Sequence, residues 1–469
     1  MATTRMAATF GQSYFGGAVL GDTRRTARLV RSADALLAHP GGTLPQKLSA
    51  PGPLKGFYRL MNRPEVTHAS VLAPAVEQVR ALVAADEGVV LLVEDWTELD
   101  YTGLESVSEE LGIIGNGSHQ GFLCASCLAV RPKGRRVLGL IGQRLVTRQR
   151  VRAGRPRQER RDDPHRETRL WSALTEDLPV ATASGKQCVV VADRGADVLE
   201  FLDGMAAAGR SFLVRANHNR RINRGPGELD KLFDHVRSQT AVGRRETTIP
   251  AAAGRSARTT TLAVAHVAVT VLVPKQPRGE VRGEPLPLHV VRVWEATPPT
   301  GVEPLEWVLL TDQPVTTAED AWERVDWYEC RWLIEEFHKG MKTGCGVEQL
   351  QFTTAAALEP TIGVLSVLAA QLLRLRDAAR DPDQADRPAR LWVGAVAVRA
   401  VSLWRHREER PDWTVAEYCL ALARMGGHQN RKGDGPPGWL TLWRGTLKLQ
   451  TMLEVMDAIQ TDSARNQCG

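Results

Sequence analysis

Cysteine is scarce in this chain, and no apolar run is expected to cross a bilayer. Seven cysteines in 469 residues are too few for the disulfide framework of a small secreted protein. The opening residues, MATTRMAATF, also lack the apolar segment of a secretory signal. We therefore expect a soluble, intracellular protein that has no membrane partner.

Cys124 and Cys127 have the spacing of half a zinc site, but no second pair follows at a suitable spacing. Both lie in FLCASCLAV, a pattern that predicts a buried strand. Strand residues three apart point to opposite faces, which does not suit a shared metal ion. We expect structural thiols at these positions.

Positive charge is modest in total but concentrated in one segment. The formal net charge is +6 and the isoelectric point is near 9.0. Eight arginines lie in the segment 144–161, namely Arg144, Arg148, Arg150, Arg152, Arg155, Arg157, Arg160 and Arg161. The segment is either a solvated loop or a surface that contacts phosphates.

The length predicts two or three domains, and the first part of the chain is helical. Residues 14–38 have helical periodicity and carry Arg24, Arg25 and Arg28, and a second basic helix is predicted at 54–64. Two short basic helices indicate a compact module that contacts DNA. Surface helices whose arginines extend over apolar neighbours are the alternative.

The middle of the chain alternates strands and helices. Strands are predicted at 89–101, 120–132, 135–146, 188–197 and 211–220, and a helix at 198–209. Apolar strands followed by helices indicate an α/β fold with a central sheet covered on both faces, where chemistry gathers at strand ends. From about 240 to 310 the pattern is β only and is interpreted as an insertion. A polar linker at 376–388 then leads to further helices.

Residues 327–344, WYECRWLIEEFHKGMKTG, predict one helix with an unusual polar stripe. The stripe consists of Tyr328, Arg331, Glu335, Lys339 and Lys342. At about 100° per residue these side chains project within roughly 80° of one another, and Glu336 lies about 100° away from Glu335. An ordinary solvent face would explain a Glu–Lys spacing. A carboxylate among three cations and a phenol instead suits a metal ligand whose neighbours hold a phosphate backbone.

Two apolar strands end in a carboxylate, Asp95 and Asp193, and the striped helix carries Glu335. If the fold brings these acids together, their hard oxygen atoms suit Mg²⁺ or Mn²⁺. A two-metal site would activate water or a 3′-hydroxyl and stabilise the leaving oxygen. The acids that compete for this assignment are Glu94, Asp100 and Asp197.

The helix YECRWLIEEFHKGMK resembles the Tyr-Arg-Glu-Lys signature of bacterial DDE transposases, at Tyr328, Arg331, Glu335 and Lys342. In particular it resembles the cut-and-paste transposase of the composite kanamycin-resistance transposon and its insertion-sequence relatives. Similar blocks cover nearly the whole chain. They are LGDTRRTARLV, EDWTELDY, ADRGADVLEFL, FLVRANH, WVLLTDQPV and LARMGGHQNRKG…GWLTLWRG.

This resemblance implies a ribonuclease H-like catalytic core, in which a mixed sheet is flanked by helices. It implies a helical DNA-end-binding domain at 1–68, a catalytic domain at 69–375 with a β insertion at about 240–310, and a helical dimerisation domain at 376–469. It further implies a homodimer in the DNA complex, and a place in the bacterial cytoplasm in association with the nucleoid.

The resemblance also implies the reaction and its cofactor. Asp95, Asp193 and Glu335 would bind Mg²⁺, with Mn²⁺ tolerated and two ions in each active site. A nick at the transposon end frees a 3′-hydroxyl, which attacks the opposite strand to form a hairpin. The hairpin is opened, and the end is then joined to target DNA.

Further site residues follow from the same resemblance. The expected DNA contacts near the active site are Tyr328, Arg331, Lys339, Lys342 and Arg215. Trp307 would stack on a base flipped out during hairpin formation, because an aromatic face stabilises an unstacked base. A tryptophan of the sheet core is the alternative. Arg24, Arg25 and Arg28 match the end-binding helix of the family.

Asn217 stands where a related enzyme has lysine, and the segment 144–161 is more basic than in the family. The details of DNA contact and the recognised end sequence therefore stay open. A catalytically silent, domesticated DNA-binding protein is one alternative, but it predicts the loss of a triad acid and none is missing. A metal-independent hydrolase with a carboxylate pair, such as a glycosidase, explains neither the cationic stripe nor the basic helices.

Overall fold

The computed structural model describes residues 9–39, 41–148, 167–225, 227–249, 257–275, 280–431 and 434–467. From residue 149 on, the arginine-rich segment predicted at 144–161 lies outside the described residues.

The N-terminal part of the described chain is helical, as the sequence predicts. Its helices are α1 (Phe10–Phe15), α2 (Thr23–Ala38), α3 (Leu44–Lys47), α4 (Pro51–Met61) and α5 (His68–Ala84). The side chain of Asp22 caps α2 by accepting a hydrogen bond from the backbone N–H of Arg24, and α5 begins with a capping box between Thr67 and Ser70. These local signals fix where the two helices begin.

The described strands form one mixed sheet. They are β1 (Val90–Asp100), β2 (Gly112–Ile114), β3 (His119–Arg131), β4 (Arg136–Val146), β5 (Cys188–Ala192), β6 (Ser211–Arg215), β7 (Arg221–Asn223), β8 (Leu229–Lys231), β9 (Gly243–Ile249), β10 (Arg258–Val271), β11 (Leu286–Glu295) and β12 (Glu306–Thr311). The order across the sheet is β2-β3-β1-β5-β6-β12-β11-β10-β7-β8, with β4 beside β3 and β9 beside β10. At its centre β1, β5 and β6 are parallel, and the neighbours on either side are antiparallel.

The β-only stretch extends this sheet. β12 pairs with β6 in the antiparallel sense, with Leu310 opposite Val214, and β11 and β10 follow outward. β7 and β8 return to the far side of β10. The strands from 243 to 311 therefore share one hydrogen-bonded sheet with β1, which carries Asp95, and β5, which Asp193 follows.

The remaining described helices come after β4 in the chain, some between later strands and the rest after β12. They are α6 (Glu167–Thr175), α7 (Leu199–Ala207), α8 (Leu232–Arg237), α9 (Ala318–Glu329), α10 (Trp332–Lys339), α11 (Ala355–Ala378), α12 (Arg390–Val393), α13 (Ala395–His406), α14 (Val415–Met425) and α15 (Trp439–Gln467). Short 3₁₀ turns occur at Glu105–Val107, Lys133–Arg135, Arg194–Ala196 and Val347–Gln349, and a π turn at Gly340–Gly344.

The sheet has an apolar core on each face. Leu91 and Val93 of β1 pack into one core, and Leu92, between them in sequence, packs into the other. Cys124 and Cys127 follow the same alternation, since they are buried in the first and second core respectively. Both are free thiols, so the prediction of buried structural cysteines on opposite faces is confirmed.

The helix predicted at 327–344 is divided into segments. The backbone N–H groups of Cys330 and Arg331 bond to carbonyls three residues back, which tightens the chain between α9 and α10. The π turn at Gly340–Gly344 then widens it. The prediction of one regular helix is wrong, because neither change of pitch has a strong sequence signal.

α11 corrects two expectations. By length and composition it could span a membrane, although no apolar run was expected to do so; 78% of its apolar window is buried inside the fold, as in a core helix. It also continues to Ala378, so the polar stretch predicted as a linker from residue 376 begins inside a helix. Arg376 and Asp377 are buried there and form an ion pair with each other.

Candidate active site

Asp95 and Asp193 lie side by side, just beyond the stretch over which β1 and β5 pair in parallel. Asp193 directly follows β5, as predicted, whereas Asp95 lies in the middle of β1, which continues to Asp100 in pairing with β3, so the prediction that this strand ends at Asp95 is wrong. β1 and β5 pair with Val93 opposite Val191. Asp95 is two residues after Val93, and Asp193 is two residues after Val191 in a backbone that is still extended. Because side chains alternate along a strand, both carboxylates point to the same face of the sheet.

The three predicted acids interact electrostatically. The pKa of Asp95 is raised to about 6, first by burial and then by the charges of Asp193 and Glu335. The backbone N–H of Trp96, which donates to Asp95 Oδ1 over 2.8 Å, and the guanidinium of Arg331 act in the opposite direction. The fold therefore concentrates negative charge at this end of the sheet.

Arg331 joins two of these acids. Its Nη1 donates to Asp95 Oδ2 over 3.1 Å, and its Nη2 donates to Glu335 Oε1 over 2.5 Å. The Arg331 side chain is only 10% exposed, whereas that of Glu335 is 43% exposed. The neighbouring Glu336 instead pairs with Arg376 of α11. Adjacent carboxylates thus face different partners, as their helical phase predicts.

The donor set fits a hard divalent cation in chemistry but needs a rearrangement to bind one. All three acids offer oxygen atoms, which Mg²⁺ and Mn²⁺ prefer, and like charges crowd Asp95. Among the residues that the structure describes, no group of three acidic, histidine or cysteine side chains is close enough to hold an ion. Arg331 supplies the positive charge between Asp95 and Glu335, so a shared ion requires Arg331 to leave and the exposed Glu335 to turn inward.

Tyr328, Trp307 and Arg215 form a cluster beside the acids. The rings of Trp307 and Tyr328 meet edge to face, with centroids 5.2 Å apart. Burial raises the pKa of Tyr328, while Arg331 and Arg215 act to lower it, so both cations lie near the phenol. Arg215 Nη2 also donates to the Glu306 carbonyl oxygen over 3.0 Å. Trp307 is half-buried, which leaves part of its ring accessible.

The two lysines of the stripe differ in their surroundings. Lys339 is exposed at the end of α10. Lys342 lies in the π turn, and its Nζ is 3.1 Å from Glu348 Oε1, an atom that also accepts the backbone N–H of Asp100. Lys342 is therefore tied to the end of β1 rather than left in solvent.

The predicted end-binding arginines lie on the N-terminal helices. Arg24 and Arg28 are exposed, with Arg24 paired to its capping Asp22, whereas Arg25 is half-buried and paired to Glu65 at 2.9 Å. Lys55, Arg59 and Arg63 are also exposed, the first two on α4 and the third just after it. The sequence predicts a basic helix here, but it carries no signal that selects these three side chains.

The competing acids Glu94 and Asp197 are buried in the fold. Glu94 is fully buried, and burial raises its pKa well above the usual value. Asp197 is also buried and accepts hydrogen bonds from the backbone N–H groups of Asn217 and His218 and from the side chain of Arg220. It therefore anchors the segment after β6.

Asp100 has polar partners at the end of β1, whereas Arg194 directly follows Asp193. Asp100 accepts from Thr102 and lies beside His119. Arg194 is an exposed cation that sequence reasoning missed, although ADRG places it directly after Asp193. Its charge helps, after burial, to lower the pKa of Arg215, so it lies near the cluster.

Carboxylates on neighbouring strands, beside arginines and a tyrosine, suit divalent ions and the phosphate oxygens that such ions bind. Residues 7–66 match the family model described as transposase DNA-binding, and residues 162–370 match the model described as transposase DDE domain. Two stretches of the chain thus match the DNA-binding domain and the DDE domain of transposases, which supports a DDE transposase.

The two matches confirm the broader part of the sequence prediction. They support a DNA transposase of the DDE type, and with the mixed sheet flanked by helices they imply a ribonuclease H-like fold. The DDE family generally uses divalent metal ions. Glu335 and Asp193 lie inside the second matched stretch, whereas Asp95 lies between the two.

Proposed function

We propose that this protein is a cut-and-paste DNA transposase related to the enzyme of the composite kanamycin-resistance transposon. It would bind the double-stranded ends of its transposon, nick them to free a 3′-hydroxyl, excise the element through a hairpin, and join the ends to target DNA. The observation that supports this best is the electrostatic contact of Asp95 with Asp193 and Glu335, beside the guanidinium of Arg331.

Asp95, Asp193 and Glu335 would hold two Mg²⁺ ions, with Mn²⁺ as a substitute. When bound, the ions would activate the attacking oxygen and stabilise the leaving oxygen of the phosphodiester. Arg331 would leave Asp95 and Glu335 and pair with a phosphate, since a planar guanidinium matches phosphate oxygens with two parallel hydrogen bonds.

The remaining side chains of the cluster would hold the cleaved strand. Tyr328 and Arg215 offer a phenol and a cation near the acids. Exposed Lys339 adds a cation one helical turn after Glu335, and Lys342 would exchange Glu348 for a phosphate. Trp307 would stack on the base that hairpin formation forces out of the duplex. Its edge-on contact with Tyr328 would position the ring next to the strand that Tyr328 holds.

The domains would divide the work. Residues 1–68 would bind the transposon end, with Arg24, Arg25 and Arg28 on or near the duplex. Residues 69–375, including the β insertion at about 240–310, would carry out the chemistry. Residues 376–469 would pair two protomers in the DNA complex. The protein would act in the bacterial cytoplasm, on the nucleoid.

Cleavage of a duplex that carries the inverted repeat flanking the gene tests this function. With Mg²⁺, the wild-type protein should yield a nick and then a hairpin, visible on a denaturing gel, and chelation with EDTA should stop both. Asp193→Asn should bind the same duplex in a gel shift without cutting it. Equal cleavage by Asp193→Asn would refute the assignment of the active site. Binding without cleavage by the wild type, with or without Mg²⁺, would instead indicate a catalytically silent DNA-binding protein.

A further inference from the structure

Lys47 is a buried cation that the reaction does not use. It is the last residue of α3 and is only 2% exposed. Its Nζ donates a hydrogen bond to the backbone carbonyl of Cys345, and burial lowers its pKa. Within the described ranges no carboxylate forms an ion pair with it. A lysine is rarely buried without an anionic partner, so its position needs a reason.

Cys345 closes the helical segment that carries Glu335. Its backbone N–H donates to the Gly340 carbonyl over 2.7 Å and so completes the π turn after α10. The carbonyl groups at the end of a helix form the negative end of its dipole, and a cation there is stabilising. Lys47 therefore acts as a C-terminal cap for this segment, supplied by the N-terminal module.

The turn that follows, residues 345–348, is hydrogen-bonded to the end of β1, the strand that carries Asp95. The Tyr101 hydroxyl, directly after β1, donates to the Val347 carbonyl over 2.9 Å, and the backbone N–H of Asp100 donates to Glu348 over 3.0 Å. The turn at 345–348 is thus held on one side by the end of β1 and on the other by Lys47.

The backbone also comes close to the N-terminal module at this point. Gly346 has φ +65°, and a Cβ there would lie 3.3 Å from the carbonyl oxygen of Gly42. Gly42 lies two residues before the first residue of α3, so the segment that begins α3 approaches the turn through main chain as well as through Lys47. A shift of α3 would therefore displace the end of the segment that carries Glu335.

We infer that Lys47 is a positioning residue, which fixes the end of the Glu335 segment and so sets how readily Glu335 and Asp95 share a divalent ion. This inference rests on the proposed function, because it requires those acids to bind metal. It also assigns the N-terminal module a second role besides DNA contact, namely support of the metal-binding geometry from behind.

Mn²⁺ binding by the DNA-free protein, followed by electron paramagnetic resonance, tests the inference. Lys47→Met keeps the length and apolar stem of the side chain and removes the ammonium. We expect its Mn²⁺ dissociation constant to rise by about tenfold, the lower end of the cost of losing an outer-shell partner. Lys55→Met, which removes an exposed lysine from the next helix, is the matched control and should bind Mn²⁺ as the wild type does.

Two further measurements separate positioning from a purely structural role. Lys47→Met should keep a cooperative thermal transition and should bind the end duplex as the wild type does in a gel shift, since Lys47 is too buried to touch DNA. If the variant binds Mn²⁺ normally, or loses end binding to the same degree as metal binding, Lys47 only supports the module and the inference is wrong.

The inference stays testable if Lys47→Met fails to fold. Tyr101→Phe removes the hydroxyl that holds the same turn to β1, and it should weaken Mn²⁺ binding in the same direction. Unchanged Mn²⁺ affinity in Tyr101→Phe would overturn the role of the turn. If the wild type itself binds no Mn²⁺ that Asp193→Asn abolishes, the proposed function fails, and the inference falls with it.

Discussion

At the scale of single residues, Arg331 determines the state of the site without DNA. Its guanidinium bridges Asp95 on β1 and Glu335 on α10, which relieves part of the repulsion between their charges. Release of Arg331 when divalent ions and phosphate arrive would couple the two binding events. The stripe seen in the sequence placed Arg331 near Glu335, but its second contact, to Asp95, depends on the packing of α10 against β1 and has no local signal.

Glu335 and Glu336 offer a matched pair of substitutions. Glu335→Gln should reduce cleavage by at least about 10³-fold, or roughly 4 kcal/mol of barrier. It should leave stability nearly unchanged, because loss of the ion pair with Arg331 is offset by weaker repulsion of Asp95. Glu336→Gln should keep cleavage and lose about 1 kcal/mol of stability, because the partly exposed carboxylate pairs with buried Arg376. Cleavage assays and urea denaturation measure the two effects. The opposite pattern would mean that the helical phase has been read wrongly.

The raised pKa of Asp95 predicts that ionisation of this side chain lowers the free energy of unfolding of the metal-free protein. The folded state binds the Asp95 proton more tightly than the unfolded chain does, since the pKa is about 6 against an ordinary value of 3.8. This contribution to stability is present below the ordinary value and is lost as the pH rises through 6. Asp95→Asn should therefore stabilise the metal-free protein at pH 8 by roughly 1–3 kcal/mol, and by little at pH 4.

Urea denaturation in EDTA at both pH values checks this expectation. Saturating Mn²⁺ should then stabilise the wild type at pH 8 and leave Asp95→Asn unaffected. If Asp95→Asn is no more stable than the wild type at pH 8, burial and repulsion of the Asp95 charge do not destabilise the folded protein.

At the scale of elements, the site depends on where apolar strands and one helix end. The sequence predicts Asp95 and Asp193 as strand ends because the residues before them are almost wholly apolar. This holds for Asp193, but β1 continues past Asp95 in pairing with β3, and it is the parallel pairing of Val93 with Val191 that aligns the two acids. The π turn after α10 could not be predicted, because its wider pitch depends on tertiary contacts. One such contact is the indole of Trp439, the first residue of α15, which lies against Gly340 and Gly344.

The contact between the π turn and Trp439 predicts the effect of a single methyl group. A Cβ on Gly344 would lie 2.7 Å from the buried Trp439 ring, whereas a Cβ on Gly340 would lie 3.3 Å from it. Gly344→Ala should therefore destabilise the protein by about 1–3 kcal/mol, as overpacking of a core does, and should weaken Mn²⁺ binding by shifting the turn.

Gly340→Ala is the control for this prediction. Its closest contact requires only a small adjustment, and alanine is favoured over glycine in a helix, so its net cost should be smaller. Thermal unfolding and Mn²⁺ titration compare the two variants. Equal effects of both substitutions would mean that the ring of Trp439 does not fix the turn.

At the scale of the whole molecule, the helical C-terminal part has its own apolar core, formed by α11, α13, α14 and α15. The sequence predicts this part as helical, but which of its faces stays open is visible only after the helices have packed. Val455 and Ile459, one helical turn apart on α15, are 53% and 60% exposed. Exposed apolar side chains at this spacing suit an interface with a second helix.

This surface predicts how pairing of protomers can be broken. If residues 376–469 pair two protomers in the DNA complex, Ile459→Glu should weaken that pairing by about 10–100-fold, because an aliphatic side chain buried at an interface contributes roughly 1.5–3 kcal/mol. Light scattering of the protein with the end duplex should then give one protomer where the wild type gives two. Hairpin formation should fall with it, whereas Mn²⁺ binding and the gel shift of a single end should persist. Val180→Glu, at an exposed apolar residue between α6 and β5, should change none of these properties. A wild-type complex that contains one protomer and still forms hairpins would exclude the dimer as the active species, because each end would then be processed by the protomer that binds it.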